Sequence, residues 1–402
     1  MPLPSGGSSR GLLQTMLEQR VDRHCDASPW NLTVTLKSRT IELGVLVLLA
    51  CVSTSLGAES ANRSERTDEG RAEQSSPEGY TLSVESVAKV VATLTRDASY
   101  PHLKGTEWIV FAARAPELPG QIKTKTTLDP PGELAHEKSE LGRSLVMARV
   151  RSDKRHPLNS MKIELTYQAT LRSRKLRQGP AHKVADLSSQ ERQKYLAERG
   201  FFDFNQPAFH EWVQKQGLDR QVNEGEIHFA RRVFLALKAG MHYDAPRKKD
   251  FYATAVCKSG RADCGGLSVL FASILRLNNI PARTLWGRWA KSAEPGKIWF
   301  NHPYYQTHVK AEFFARGVGW VPVDVSSAIL HDQAPEGLKF FGNDAGDFIT
   351  FHVDGNLEID TLLFGIKSLG NLQTTRWWIR GDGPLTDEQV TDSWQVKRSR
   401  LD

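Results

Sequence analysis

The stretch "GRADCGGLSVLFASILRLNNIPAR", Gly260–Arg283, places one cysteine between an aspartate and two glycines and then enters an apolar helical pattern. Leu267, Leu270, Phe271, Ile274 and Leu275 recur at the spacing of a single helical face, and Asn278 and Asn279 are stop residues before "IPAR". The pattern predicts a helix of about four turns, buried along one stripe, with Asp263 as its N-cap. Cys264 then falls where unpaired backbone N–H groups and the positive end of the helix dipole gather, which favours a thiolate. The carboxylate of Asp263 opposes that effect, and Gly265 and Gly266 leave room for another chain to approach the sulfur. A thiol so placed reads as a nucleophile that needs a base.

A second stretch, "THVKAEFFARGVGWVPVD", Thr307–Asp324, reads as two strands joined by a turn around "ARG". Its odd positions Val309, Ala311, Phe313, Val321 and Val323 are apolar and should face the core. Its even positions His308, Lys310, Glu312, Trp320 and Asp324 form a polar face. With the hairpin centred on Arg316, His308 stands opposite Asp324, close enough for a carboxylate to hold an imidazole. A slip of one residue would separate the two onto opposite faces. Taken without the cysteine helix, the pair reads as a surface ion pair.

A cysteine opening an apolar helix, then "IPAR", then H-x-x-x-E at His308–Glu312 and "GWVPVD" at Gly319–Asp324, together resemble the transglutaminase-like superfamily of papain-type thiol enzymes. The resemblance runs from Ile227 to Asp324 and extends to "FGNDAGDFITF", Phe341–Phe351, which is similar to the family's closing strands. It implies an α+β fold in which the cysteine helix packs on an antiparallel sheet. It also implies Cys264 as nucleophile, His308 as base and Asp324 as orienter in attack on peptide or amide carbonyls. Two positions depart from the family: Lys310 stands where an aromatic is usual, and Val325 follows the aspartate where proline is common. Lys310 supports a rival reading, a catalytically silent module that binds protein or cell wall.

A second oxyanion donor should come from a side chain upstream of Cys264, with Tyr243 and Tyr252 as candidates. Gly265, Trp286, Trp289, Tyr305, Lys310 and Trp320 are candidates to line a substrate groove, within an aromatic cluster that includes Trp299, Phe300 and Tyr304. Core packing is the plainer role for those rings. Cys257 and Cys264, seven positions apart, raise the alternative of a structural disulfide. No second Cys or His pair completes a zinc set. Asn343, Asp344 and Asp347 lack the full spacing of a calcium loop. Arg380-Gly381-Asp382 is read as a chance adhesion tripeptide. The chemistry calls for no cofactor or metal.

The 402 residues suffice for two domains, and a hydrophobic share of 40% with a charged share of 25% is ordinary for a globular protein. The net charge of +7 is spread along the chain without a nucleic-acid motif. Residues 1–58 read as an export region: Lys37 and Arg39 precede the apolar run Leu43–Val52, which is too short to span a bilayer. "LLAC", Leu48–Cys51, resembles a bacterial lipobox in which Cys51 would carry a lipid anchor. Residues 59–79 form a polar linker. Residues 80–180 alternate as in a β-sandwich, most cleanly at Met161–Leu171, and 185–380 hold the cysteine domain. Residues 381–402 read as a polar tail. The whole describes an exported, periplasmic or cell-surface monomer acting on protein or peptide.

Overall fold

Alternation decides the first part of the chain. Ile163, Leu165, Tyr167, Ala169 and Leu171 are all buried while most of the residues between them face outward, as a strand with one packed face requires. The computed structural model describes residues 79–401 apart from 153–154, 181–183, 245–249, 295–297, 300–301 and 304–305. The export region, the Cys51 lipobox and the linker as far as residue 78 lie outside the described residues, as does Tyr305.

Six strands come first: β1 (Tyr80–Ser99), β2 (Lys104–Ala113), β3 (Gln121–Asp129), β4 (Glu133–His136), β5 (Ser144–Arg151) and β6 (Ser160–Gln178). Helices α1 (Ser189–Leu196), α2 (Pro207–Lys215) and α3 (Glu226–Gly240) follow, then β7 (His242–Tyr243), α4 (Ala253–Ser259), β8 (Arg261–Ala262) and the cysteine helix α5 (Cys264–Leu277). Next come β9 (Ala282–Trp289), β10 (Ile298–Trp299), β11 (His302–Pro303), β12 (Thr307–Ala315), β13 (Gly319–Val323) and α6 (Val325–His331). The chain ends with β14 (Asn343–Asp344), β15 (Phe348–Val353), β16 (Leu357–Asp360), β17 (Ile366–Leu369), β18 (Arg376–Asp382) and β19 (Gln389–Arg400).

Three antiparallel sheets organise these elements. In the first, β6 pairs with β1, β3 and β14, and β1 pairs with β19. The second has the order β18-β2-β5-β4. Tyr167 of the first donates its hydroxyl to the Ala113 carbonyl at the end of β2, 2.9 Å away, joining the two as a sandwich. The third sheet, β13-β12-β9-β15, carries α5 on one face: Phe271 meets Phe313 at 6.4 Å, and the Ser268 hydroxyl donates to the Val309 carbonyl at 3.2 Å. This is the expected α+β arrangement.

The C-terminal segment corrects the expectation of a polar tail. β19 pairs with β1 from Ala88↔Arg400 to Ser99↔Gln389, and β18 pairs with β2. Trp394 is the buried residue of β19, so the strand lacks the apolar alternation that would reveal it in sequence. Residues Ser76–Asp402 consequently form one compact unit, in which strands from both ends of the chain complete the sandwich.

The sandwich also closes over the third sheet. Arg174 of β6 is 1% exposed and bonds the Glu312 carboxylate of β12 and, at 2.9 Å, Asp344 of β14. Arg283 of β9 takes the other Glu312 oxygen at 2.9 Å. The even face of β12, read as polar, is therefore buried. Breaking a buried ion network by removing one partner costs about 3–5 kcal/mol, so Arg174→Met should lose an amount of that order in urea unfolding.

His352 of β15 is fully enclosed. Its Nδ1–H donates to the Asp354 carbonyl at 2.8 Å, its Nε2 accepts the Leu372 N–H at 3.0 Å, and its ring stacks on Trp286 at 6.0 Å. Burial, then the nearby Arg143 charge, pushes its pKa down to about 3. The unfolded imidazole titrates near ~6.5, so between there and about 3 the unfolded chain binds a proton that the native chain refuses, and stability falls as pH falls. His352→Asn should flatten that slope when unfolding free energy is measured across the interval.

Candidate active site

The site forms where β13 stops. Gly317, at φ +75, lies within the three-residue turn 316–318, a left-handed backbone that glycine adopts without strain. The pairing Ala315↔Gly319 through Ala311↔Val323 centres the hairpin on Gly317, one residue later than the Arg316 expectation. Moving the centre by one residue moves the partner by two, so Asp324 falls in line with Lys310 and diagonal to His308. Parity is unchanged, and both side chains remain on one face.

Asp324 has left the strand altogether and is the N-cap of α6. Its carboxylate accepts four hydrogen bonds: His308 Nε2 at 2.7 Å, Ser326 Oγ at 3.0 Å, Ser327 N–H at 2.9 Å and Ser327 Oγ at 2.8 Å. Burial alone would raise this carboxyl. The His308 charge and hydrogen bond, Lys310 and the Ser327 N–H instead hold it well below the usual carboxylate range. A carboxylate can only accept, so Nε2 of His308 is the donor and, in the neutral ring, Nδ1 keeps its lone pair.

His308 is held from its other sides as well. Trp289 stacks on the imidazole at 4.6 Å and 23°, and Phe348 meets it edge-on at 6.1 Å. The Gln373 amide donates to the carbonyls of His308 (2.8 Å) and Gly287 (2.7 Å), register partners on β12 and β9. A Cβ on Gly287 would stand 1.8 Å from the Ile349 carbonyl oxygen, so only glycine lets β15 approach here.

Cys264 opens α5, and Asp263 caps the helix by accepting the Gly266 N–H at 3.0 Å. The sulfur takes hydrogen bonds from the N–H of Gly265 and from that of Val309, the residue after His308. The thiol is nonetheless pushed well above its ordinary pKa: burial contributes most and the Asp263 charge next, with Asp324 adding to both. This corrects the expectation that the helix terminus lowers it, because two N–H donors are outweighed by desolvation and two carboxylates. Cys257 is also a free thiol; it donates to the Thr254 carbonyl, and burial and Asp203 push it up to about 11. The disulfide alternative is therefore not realised.

Three groove candidates, Gly265, Trp286 and Trp320, prove to be packing residues. A Cβ on Gly265 would meet the Phe251 ring at 2.7 Å and Trp286 at 3.0 Å, so this glycine admits core rings and not a substrate. Trp286 is 1% exposed and spends its N–H on Thr284. Trp320 packs with Tyr195 and Phe314 under the Arg283 guanidinium, in a cluster separate from the main core. Tyr252 is half exposed and edge-on to Phe201, while Tyr243 pairs with Ala262 of β8, two residues before the cysteine. Trp289 and Lys310 do adjoin the site. Asp344 is bonded by Arg174 and Lys310, a cationic setting that leaves no vacancy for calcium. Ser326, Ser327, Gln373 and Phe348 were missed. An Asp followed, after Val325, by two serines and an apolar "AIL" run is an N-cap signal that marks the first two; Gln373 and Phe348 carry no local signal.

Asp263→Asn keeps the cap and removes one charge from beside the sulfur. At pH 7 it should raise the iodoacetamide alkylation rate of Cys264 about fivefold, read by mass spectrometry.

Residues 215–325 match the family model of the transglutaminase-like superfamily. No curated protein matches the chain. Among solved structures, a candidate cysteine protease from Cytophaga hutchinsonii is 12% identical with a TM-score of 0.47, over 80% of this chain and 93% of that one. The periplasmic domain of TgpA from Pseudomonas aeruginosa is 13% identical with a TM-score of 0.30, over 66% of this chain and 93% of its own. The segment that holds the cysteine helix and the histidine hairpin is thus a domain of the transglutaminase-like superfamily.

Proposed function

We propose that the protein is a thiol enzyme that attacks peptide or amide carbonyls, with Cys264 as nucleophile, His308 as base and Asp324 as its orienter. One observation carries the reading: His308 is fixed to Asp324 through Nε2 at 2.7 Å, while the backbone N–H of its neighbour Val309 bonds the Cys264 sulfur. Nδ1 is then the ring atom left to serve the thiol.

The raised thiol pKa gives the first step its form. Sγ keeps its proton until attack; Nδ1 accepts it as the S–C bond forms and the carbonyl electron pair moves to oxygen. The N–H of Cys264 is the first donor for that oxygen, and Tyr243, whose strand pairs with β8 just before α5, is the candidate for a second. Collapse breaks the C–N bond, and the leaving amine takes the proton from Nδ1. Water then attacks the thioester, giving its proton to His308, and the thiolate that leaves is reprotonated. The Asp324 carboxylate stabilises the imidazolium in both halves.

Hydrolysis is favoured over transfer to an amine because no amine-binding site is recognisable among the described residues. The export pattern read in residues 1–58 supports action outside the cytoplasm, and the proposal takes the protein as a monomer acting there on protein or peptide. No helix among the described residues is long and apolar enough to cross a membrane.

Profiling against peptide and glutamine-amide libraries tests the proposal. Cys264→Ala should lower turnover by about a thousandfold or more, and the product should be free acid and not an amine conjugate. Turnover retained by Cys264→Ala would overturn the reading, and a conjugate would replace hydrolysis with transamidation. A folded protein inert to every substrate would favour the binding module.

A further inference from the structure

Lys310 occupies a position where a cation is unexpected: two residues from His308, on the same face of β12 and only 6% exposed. Its ammonium lies 4.5 Å from the centroid of Trp289 and 5.0 Å from that of Phe348. These are the two rings that hold the His308 imidazole. Beyond them the ammonium reaches Asp344 at 3.4 Å and Asp347 at 3.7 Å. Asp344 is fixed in turn by Arg174 and by the Gly346 N–H.

We propose that Lys310 is a positioning residue for the base: its anchored ammonium holds Trp289 and Phe348 against the His308 imidazole. The inference rests on His308 being the base. A cation over an aromatic face is attracted to the ring, more strongly when desolvated. Lys310 and His308 share both rings, so the lysine stiffens the wall against which the imidazole stacks.

The other charges around His308 are accounted for. Asp324, at the start of α6, favours the imidazolium directly. Asp263, at the start of α5, is occupied in capping. Arg288 of β9 turns its guanidinium to the Gln373 carbonyl at 3.0 Å and to the Trp394 ring at 5.3 Å. Asp344 and Asp347 sit behind the lysine and partly neutralise it. Burial would discharge Lys310, but Asp344, Asp347 and Asp324 together raise its pKa, so it stays cationic.

The test compares the full-length chain with Lys310→Met, Lys310→Gln and Lys310→Arg. The His308 ring resonances are followed by NMR, assigned with His308→Gln, and kcat and KM are recorded separately beside them. Both neutral variants should move the His308 ring resonances, which the stacked Trp289 ring current sets, and lower kcat about tenfold with KM little changed, and Lys310→Arg should restore both. Lys310→Gln can still donate to Asp344, and so covers the case in which methionine is not tolerated. An unmoved imidazole in a folded neutral variant would overturn the role of Lys310. A shifted imidazole with no turnover in any variant would sink the catalytic reading and leave the lysine's control of the ring standing.

Discussion

The site depends on a hydrogen bond largely shielded from water: His308 Nε2 to Asp324, between side chains nearly excluded from solvent. A buried carboxylate is costly unless its oxygens are satisfied, and here a helix terminus satisfies them. Ser326 and Ser327, on the first turn of α6, supply the remaining donors. The hairpin must therefore end at Val323 and turn at once into a helix, because Asp324 can orient the imidazole only by capping that helix. Position, charge and tautomer are fixed by one backbone change.

The second constraint is that β12 is buried on both faces. Its odd residues pack on the cysteine helix; its even residues meet the edge of the sandwich through Arg174. Glu312, fully buried, is tolerable because Arg174 and Arg283 each take one of its oxygens. Lys310 is tolerable because Asp344 lies beside it. The sandwich thus does more than accompany the third sheet. It supplies the counter-charges without which the strand bearing His308 could not be enclosed, and β14, whose Asp344 ties Arg174 to Lys310, belongs to the sandwich sheet.

Opposing influences meet at the sulfur. The helix terminus and the Val309 N–H favour the thiolate, whereas burial and two aspartates disfavour it, and the second group prevails. Asp263 is needed as a cap and Asp324 as an orienter, so neither carboxylate can be dispensed with. The outcome suits a nucleophile that stays protonated until its base acts.

The sequence by itself determined the cysteine helix and its Asp263 cap, the strand alternation at Met161–Leu171, and the shared face of His308 and Asp324. Each is a short-range pattern governed by helical or strand period, and parity survived a misplaced turn centre. What only the tertiary structure decided was which polar residues are buried together. Arg174 and Glu312 are 138 positions apart, Gln373 and His308 are 65 apart, and β19 returns from the C-terminus to pair with β1. No local period encodes such meetings: a buried ion pair and a solvated charge look alike in sequence until the sheet edge that covers them is in place.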